Sequence, residues 1–362
     1  MSMSSPLRAW WAMLPVLACL LLCLNALAAT AATTAEAPYR VGYRVIDLVD
    51  LADGRPLSVA VWYPTAAMPA AHVYGGSTRG QVAVDAAPLA AGPYPLLVFS
   101  HGYGGSGLGA VFLCETLAAR GWIVAAPDHH DRYSAVRIRG GQQTDFDRLA
   151  LFRHASEIAS STPADRPRYA YRLDEMQAAL DGMTASRDFG PLIDPARIAV
   201  GGHSFGGYTA LGVAGTLPER HDKRIKAVLL FSTGAGAYLY DAHELRTVSV
   251  PVMLFLGAKE EQQTRGKQTM TQLSAKIFDN LAGPKYFLEV QGANHFSFNN
   301  RFSNNIGARL MSGSEAQFEV IRRYAIAFLE KHVTGRAGAD AVLARGDAQL
   351  TRYQQPPTSA NQ

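Results

Sequence analysis

The sequence predicts an α/β domain on a mostly parallel, doubly wound sheet, and three observations carry that expectation. Short, uninterrupted apolar runs alternate with amphipathic helical stretches along most of the 362 residues. Such runs suit parallel strands buried on both faces, whereas half-exposed antiparallel strands alternate apolar with polar residues. A composition of 48% hydrophobic and 18% charged residues excludes a disordered, collagen-like or repeat chain. Lastly, the run ending at Gly201 passes through a glycine-rich turn directly into a helical pattern, a junction typical of such folds.

Residues 1–31 read as a leader. Between Arg8 and Glu36 there is no charged residue, and the apolar core Ala9 to Leu24 precedes small residues from Ala26 to Ala31, the order of a secretory signal peptide. Export to the periplasm or the extracellular space is the expectation. The alternative is a membrane anchor by an uncleaved leader, since the uncharged run is long enough to span a bilayer. With cleavage no stable membrane span remains. Two of the three cysteines lie in this leader, so the processed chain keeps only Cys114, inside the apolar stripe Val111 to Cys114. It reads as a small buried hydrophobe in a protein without an internal disulfide.

Arg40 to Val49 and Leu57 to Tyr63 are the first expected strands, joined by the turn Ala52 to Gly54. Further strands are expected at Pro95 to Phe99, Trp122 to Pro127, Arg197 to Gly201, Ile225 to Phe231, Val250 to Leu256 and Tyr286 to Val290. Helices are expected at Leu108 to Arg120, Tyr171 to Ala185, Tyr208 to Thr216, Thr264 to Leu281 and Glu315 to His332. Ala66 to Gly92, rich in Ala, Gly and Pro, reads as a surface loop. His130 to Arg168, after the fourth strand of this series, is a long polar excursion, and connections of that length often cover a site. Residues 32–334 thus form one domain, and residues 335–362 an extension with one weak helix and a loose tail.

Lys plus Arg number 34 against 30 Asp plus Glu, and the basic residues are dispersed, so no nucleic-acid footprint is present. The sequence leaves the oligomeric state open.

Gly202-His203-Ser204-Phe205-Gly206-Gly207 is the strongest chemical signal. A serine in a sharp strand-to-helix turn stands clear of the sheet, and glycines around it avoid clashes with neighbouring backbone. A serine hydroxyl needs a base held by a carboxylate. His295, in the loop after the last expected strand, is the candidate base, and His203, adjacent to the serine, is expected to point elsewhere and support the turn. The acid should follow the preceding strand: Val252 to Gly257 delivers Glu260 and Glu261, with Glu260 favoured by its offset and Glu261 the alternative. His101-Gly102-Tyr103-Gly104-Gly105 supplies a glycine-rich turn after another strand, so the Tyr103 and Phe205 amides are the expected oxyanion hole. His129 and His130, flanked by Asp128 and Asp131, do not form a metal site in this reading, because adjacent histidines alternate in direction and no third ligand has suitable spacing. Neither a metal nor a cofactor is expected.

The ordered set HGYGG, APDHHDR, GHSFGG and GANHFSF resembles the α/β-hydrolase branch containing the type II platelet-activating factor acetylhydrolases and their bacterial dienelactone-hydrolase-like relatives. Polyester-degrading and cutinase-like esterases share a similar turn and elbow. The resemblance implies an α/β-hydrolase catalytic domain over 32–334 and a serine esterase with a Ser204, His295 and Glu260 triad. The expected substrate is a small-molecule, lipid or polymer ester, with short acyl chains. One departure matters. The eukaryotic acetylhydrolases place an aspartate after the strand following the elbow, whereas here that strand runs into Phe231-Ser232-Thr233-Gly234. Competing readings are a phospholipid acetyl-ester hydrolase, a serine peptidase or amidase, and a binding protein on an inactive hydrolase fold.

Overall fold

The computed structural model describes residues 38–48, 54–142, 147–260, 264–265, 268–301 and 311–357. The leader, residues 1–31, and the alternative acid Glu261 lie outside them.

Strands β1 (Arg40–Leu48), β2 (Leu57–Thr65), β3 (Ala70–Tyr74), β4 (Thr78–Val84), β5 (Tyr94–Ser100), β6 (Ile123–Pro127), β7 (Ile193–His203), β8 (Ile225–Phe231), β9 (Val252–Gly257), β10 (Lys285–Val290) and β11 (Leu350–Gln354) make one sheet. Its spatial order is β11-β10-β9-β8-β7-β5-β6-β2-β1-β4-β3. The stretch from β10 to β6 is parallel throughout. The helices are α1 (Val111–Ala119), α2 (Arg148–Ala159), α3 (Ala170–Ala185), α4 (Phe205–Leu211), α5 (Ala235–Leu239), α6 (Ala242–Leu245), α7 (Met270–Asn280), α8 (Glu315–Leu329) and α9 (Ala339–Leu343).

The apolar runs explain the layers. In register, Val98, Val200, Val228 and Val252 form a row across four strands on one face. Phe99, Leu229 and Met253 form the next row, on the other. Because side chains alternate, a run apolar at every position feeds both cores. The valine face packs against Leu173, Met176, Leu180 and Met183 of α3 and against α4 and α7. The opposite face receives α1 and α8, where Phe112 stacks on Phe318 at 4.0 Å. Each fully buried side chain of this size contributes about 1.5–3 kcal/mol. Cys114, 1% exposed, belongs to this second core as a free thiol, and burial raises its pKa.

Three expectations require correction. The stretch 66–92 is not merely a loop: β3 and β4 form a hairpin within it, and β4 runs parallel beside β1. Its anchor is Tyr74, whose hydroxyl accepts from Trp62 Nε1 at 3.0 Å and donates to Glu115 at 2.6 Å. The Ala and Gly content hid the strand period. The helix expected from Thr264 starts at Met270, because Thr269 and Gln272 form a reciprocal capping box, while 264–265 and 268–269 pair as a short antiparallel ladder. Finally, the residues after 334 contribute α9 and then β11, antiparallel to β10, instead of a loose tail.

A parallel sheet brings the C-terminal ends of its strands to one edge, where ligand sites of such folds form. The turn after β5, the residues after β6, Ser204 after β7, Ser232 after β8, Glu260 after β9 and His295 after β10 all leave from that edge.

Candidate active site

Ser204 sits between β7 and α4 at φ 53°, ψ −115°, a backbone region that costs a non-glycine residue about 1–3 kcal/mol. The surroundings enforce the turn. Its amide donates to Phe231 O at 2.9 Å, and its carbonyl accepts from Gly207 N at 3.0 Å and from Thr233 Oγ1 at 2.8 Å. A Cβ on Gly202 would come within 2.1 Å of Gly206 O, and one on Gly206 within 2.0 Å of Ser100 O, so side chains at these two positions are excluded.

Ser204 Oγ lies 2.9 Å from His295 Nε2. On the other side of the ring, Nδ1 lies 3.1 Å from Glu260 Oε2 and 2.6 Å from Ser232 Oγ. Glu260 is fully buried, and its Oε1 accepts the Gly257 amide at 2.9 Å. A carboxylate only accepts, so the proton belongs on Nδ1, leaving Nε2 free to accept from Ser204. Ser232 then accepts from Nδ1–H and donates to Glu260 Oε2, 2.5 Å away. The structure therefore brings Ser204, His295 and Glu260 into one hydrogen-bonded chain.

His203 Nε2 donates to the His295 carbonyl at 2.8 Å, so this residue steadies the loop of the predicted base. Burial, reinforced by the neighbouring His295, lowers its pKa to about 3 and keeps it neutral.

The turn at His101 to Gly105 packs directly on the elbow: a Cβ on Gly102 would lie 3.2 Å from Ser204 Cβ. Gly105 N closes the turn onto Gly102 O at 3.0 Å. Phe205 opens α4, and a first-turn amide has no intrahelical acceptor. The Tyr103 and Phe205 rings lie 6.2 Å apart, edge to face. The excursion after β6 reaches this place. Its helix α2 sets His154 against the Tyr103 hydroxyl, with which it hydrogen-bonds, and Leu151 against Gly104.

Beneath the turn is a buried polar layer that the sequence did not reveal. Arg172 of α3 pairs with Asp131 at 2.5 Å, both wholly buried, and donates to His101 O at 2.7 Å. His129 Nε2 meets Ser100 Oγ at 2.7 Å. The Nδ1 atoms of both His129 and His130 bond Glu175, at 2.8 and 2.7 Å. The expected alternation of these histidines fails because β6 ends at Pro127, and strand alternation ends with it. Asp128 instead accepts the Gly107 and Ile138 amides, and burial pushes its pKa up to about 6.

Burial would raise the Glu175 pKa, but the bonds from His129 and His130 outweigh it and bring the value down to about 2. A carboxylate depressed in the folded state stabilises fully above its unfolded value, and that stability is lost as pH falls from about 4.5 towards about 2. His203 acts in the same direction: its lowered pKa means stability lost as pH falls from about 6.5 to about 3. Denaturant titrations from pH 5 to pH 2 should therefore show a fall in stability that Glu175→Gln flattens by about 3 kcal/mol. An equally steep fall in the variant would remove Glu175 from the explanation.

Reading the sequence missed Ser232, Glu175 and Arg172. Ser232 alone left a signal, since it directly follows the apolar strand β8, at an edge where functional side chains gather.

The parallel sheet, the strained serine between β7 and α4, and an acid and a histidine supplied after later strands define an α/β-hydrolase fold. The family model described as platelet-activating factor acetylhydrolase, isoform II, matches residues 61–186, which include the turn at 101–105 and α2 but end before Ser204. The chain is 26% identical over 286 residues to the platelet-activating factor acetylhydrolase of Cavia porcellus, covering 70% of this chain and 62% of that relative. It thus spans about three-fifths of that relative's length. Among solved structures, a ferulic acid esterase from Streptomyces cinnamoneus superposes with a TM-score of 0.66 at 24% identity, covering 89% of this chain and 98% of that one. These similarities agree with the resemblance in the HGYGG, APDHHDR, GHSFGG and GANHFSF motifs.

Proposed function

We propose that the protein is an exported serine hydrolase of carboxylic esters. The observation that carries the reading is the continuous path from Ser204 Oγ through His295 to Glu260 at the sheet's C-terminal edge. Ser204 Oγ attacks the ester carbonyl carbon while its proton passes to His295 Nε2. The bond from that carbon to the leaving oxygen breaks, and the alcohol departs with the proton from Nε2. Water then attacks the acyl-enzyme by the same route, restoring Ser204. The Tyr103 and Phe205 amides are the donors for the oxyanion, and losing one such donor typically costs about a hundredfold or more. Residues 1–31 support export. Among the described residues no helix is long and apolar enough to cross a membrane.

The expected acyl groups are short. Beside the elbow, Tyr103 and Tyr169 pack edge-on against the Phe205 ring, and α2 is fixed over the turn through His154 and Leu151. An open acyl groove would add up to about 0.8 kcal/mol for each buried methylene. The test is a p-nitrophenyl ester series below each substrate's aggregation limit, with kcat/KM expected to peak from acetyl to hexanoyl and to fall beyond octanoyl. A value still rising through dodecanoyl rejects the short pocket, and no turnover of any ester rejects the esterase.

A further inference from the structure

Among the described residues, Ser232 hydrogen-bonds to both the predicted base and the predicted acid. Its hydroxyl stands 2.6 Å from His295 Nδ1 and 2.5 Å from Glu260 Oε2, closer to each than they are to one another at 3.1 Å. It is fully buried, so no water competes for these bonds. Its backbone is held at φ 44°, and its amide donates to Phe255 O at 2.7 Å. A serine at positive φ marks a position whose surroundings override local preference. The strain aims the hydroxyl between ring and carboxylate.

We infer that Ser232 is a positioning residue of the hydrolytic site, bridging Glu260 to His295 and fixing the imidazole by a second acceptor for Nδ1–H. This rests on the serine-hydrolase reading above. Each donor has an acceptor: Nδ1–H is shared between Ser232 Oγ and Glu260 Oε2, and the serine proton also goes to Glu260 Oε2, whose lone pairs can take both. No proton has to leave the serine, since its role is orientation. When His295 takes the Ser204 proton, the Nδ1–H bonds strengthen, so the bridge contributes more to the transition state than to substrate binding.

The decisive experiment compares Ser232→Gly, which keeps the backbone angle and removes the hydroxyl, with Ser232→Ala. Both single variants should lower kcat about tenfold or more with KM changed less than about twofold, the split expected for a loss felt only in the transition state. If Ser232→Gly folds and keeps kcat within about twofold of wild type, the role of Ser232 is overturned. Ser204→Ala separates the two readings: activity surviving there overturns the serine mechanism itself, whereas a dead Ser204→Ala beside an unaffected Ser232→Gly overturns only the bridge.

Discussion

Ser204→Ala is expected to fold normally and to lose esterase kcat by roughly four to six orders of magnitude. The fold should not notice the change, because the structural bonds at this position run through the backbone: amide to Phe231, carbonyl to Gly207 and Thr233. Among the described residues, the side-chain oxygen hydrogen-bonds to His295. Alanine keeps the Cβ and the strained φ of 53°, so the thermal midpoint should stay close to wild type while turnover disappears. Measuring both on one preparation makes the result unambiguous. Near-normal activity in a contamination-free sample would reject the mechanism.

Glu260→Gln carries the second largest expected effect, a loss of about three to four orders of magnitude in kcat. The cause is directional. Glu260 Oε1 accepts the Gly257 amide, so in the variant the amide oxygen keeps that bond and the NH2 group turns towards Ser232 and His295. A donor then faces the donor Nδ1–H. The imidazole must shift its proton to Nε2, where it blocks acceptance from Ser204. Glu261→Gln should stay close to wild type. The reverse pattern would move the acid by one residue, and two mild phenotypes would place it elsewhere.

Much of this arrangement was legible in the sequence because backbone constraints leave residue signatures. Gly202 and Gly206 are needed where a Cβ would strike Gly206 O and Ser100 O, and that need is visible as a motif. The strand ending at Phe231 was read at its observed bounds because its seven residues contain one polar side chain, Lys226. The hairpin of β3 and β4 was illegible for the opposite reason: Ala70, Ala71, Gly80 and Ala83 have too little contrast to show a period of two. The polar layer under the turn at 101–105 was hidden by distance. Arg172 and Glu175 are separated from Asp131 and His129 by about forty residues, and only tertiary packing makes partners of them. Ser232 is hidden for a third reason: a hydroxyl that bridges two side chains distant along the chain leaves no motif in the sequence.

The short strand β11 bears on how the molecule behaves in a crowded solution. β10 carries Tyr286, Phe287, Leu288 and Val290, and its outer ladder of amides and carbonyls is taken up by Leu350 to Gln354. Arg352 lies over the Phe287 ring at 4.8 Å, and Thr351 and Arg352 are exposed. An apolar strand with an open ladder is a template for the matching edge of another molecule, and a brief, charged outer strand blunts it. A chain cut before Leu350 is expected to keep Ser204, His295 and Glu260 in place. Its first loss would be colloidal: molecules joining edge to edge while each still held those three residues together.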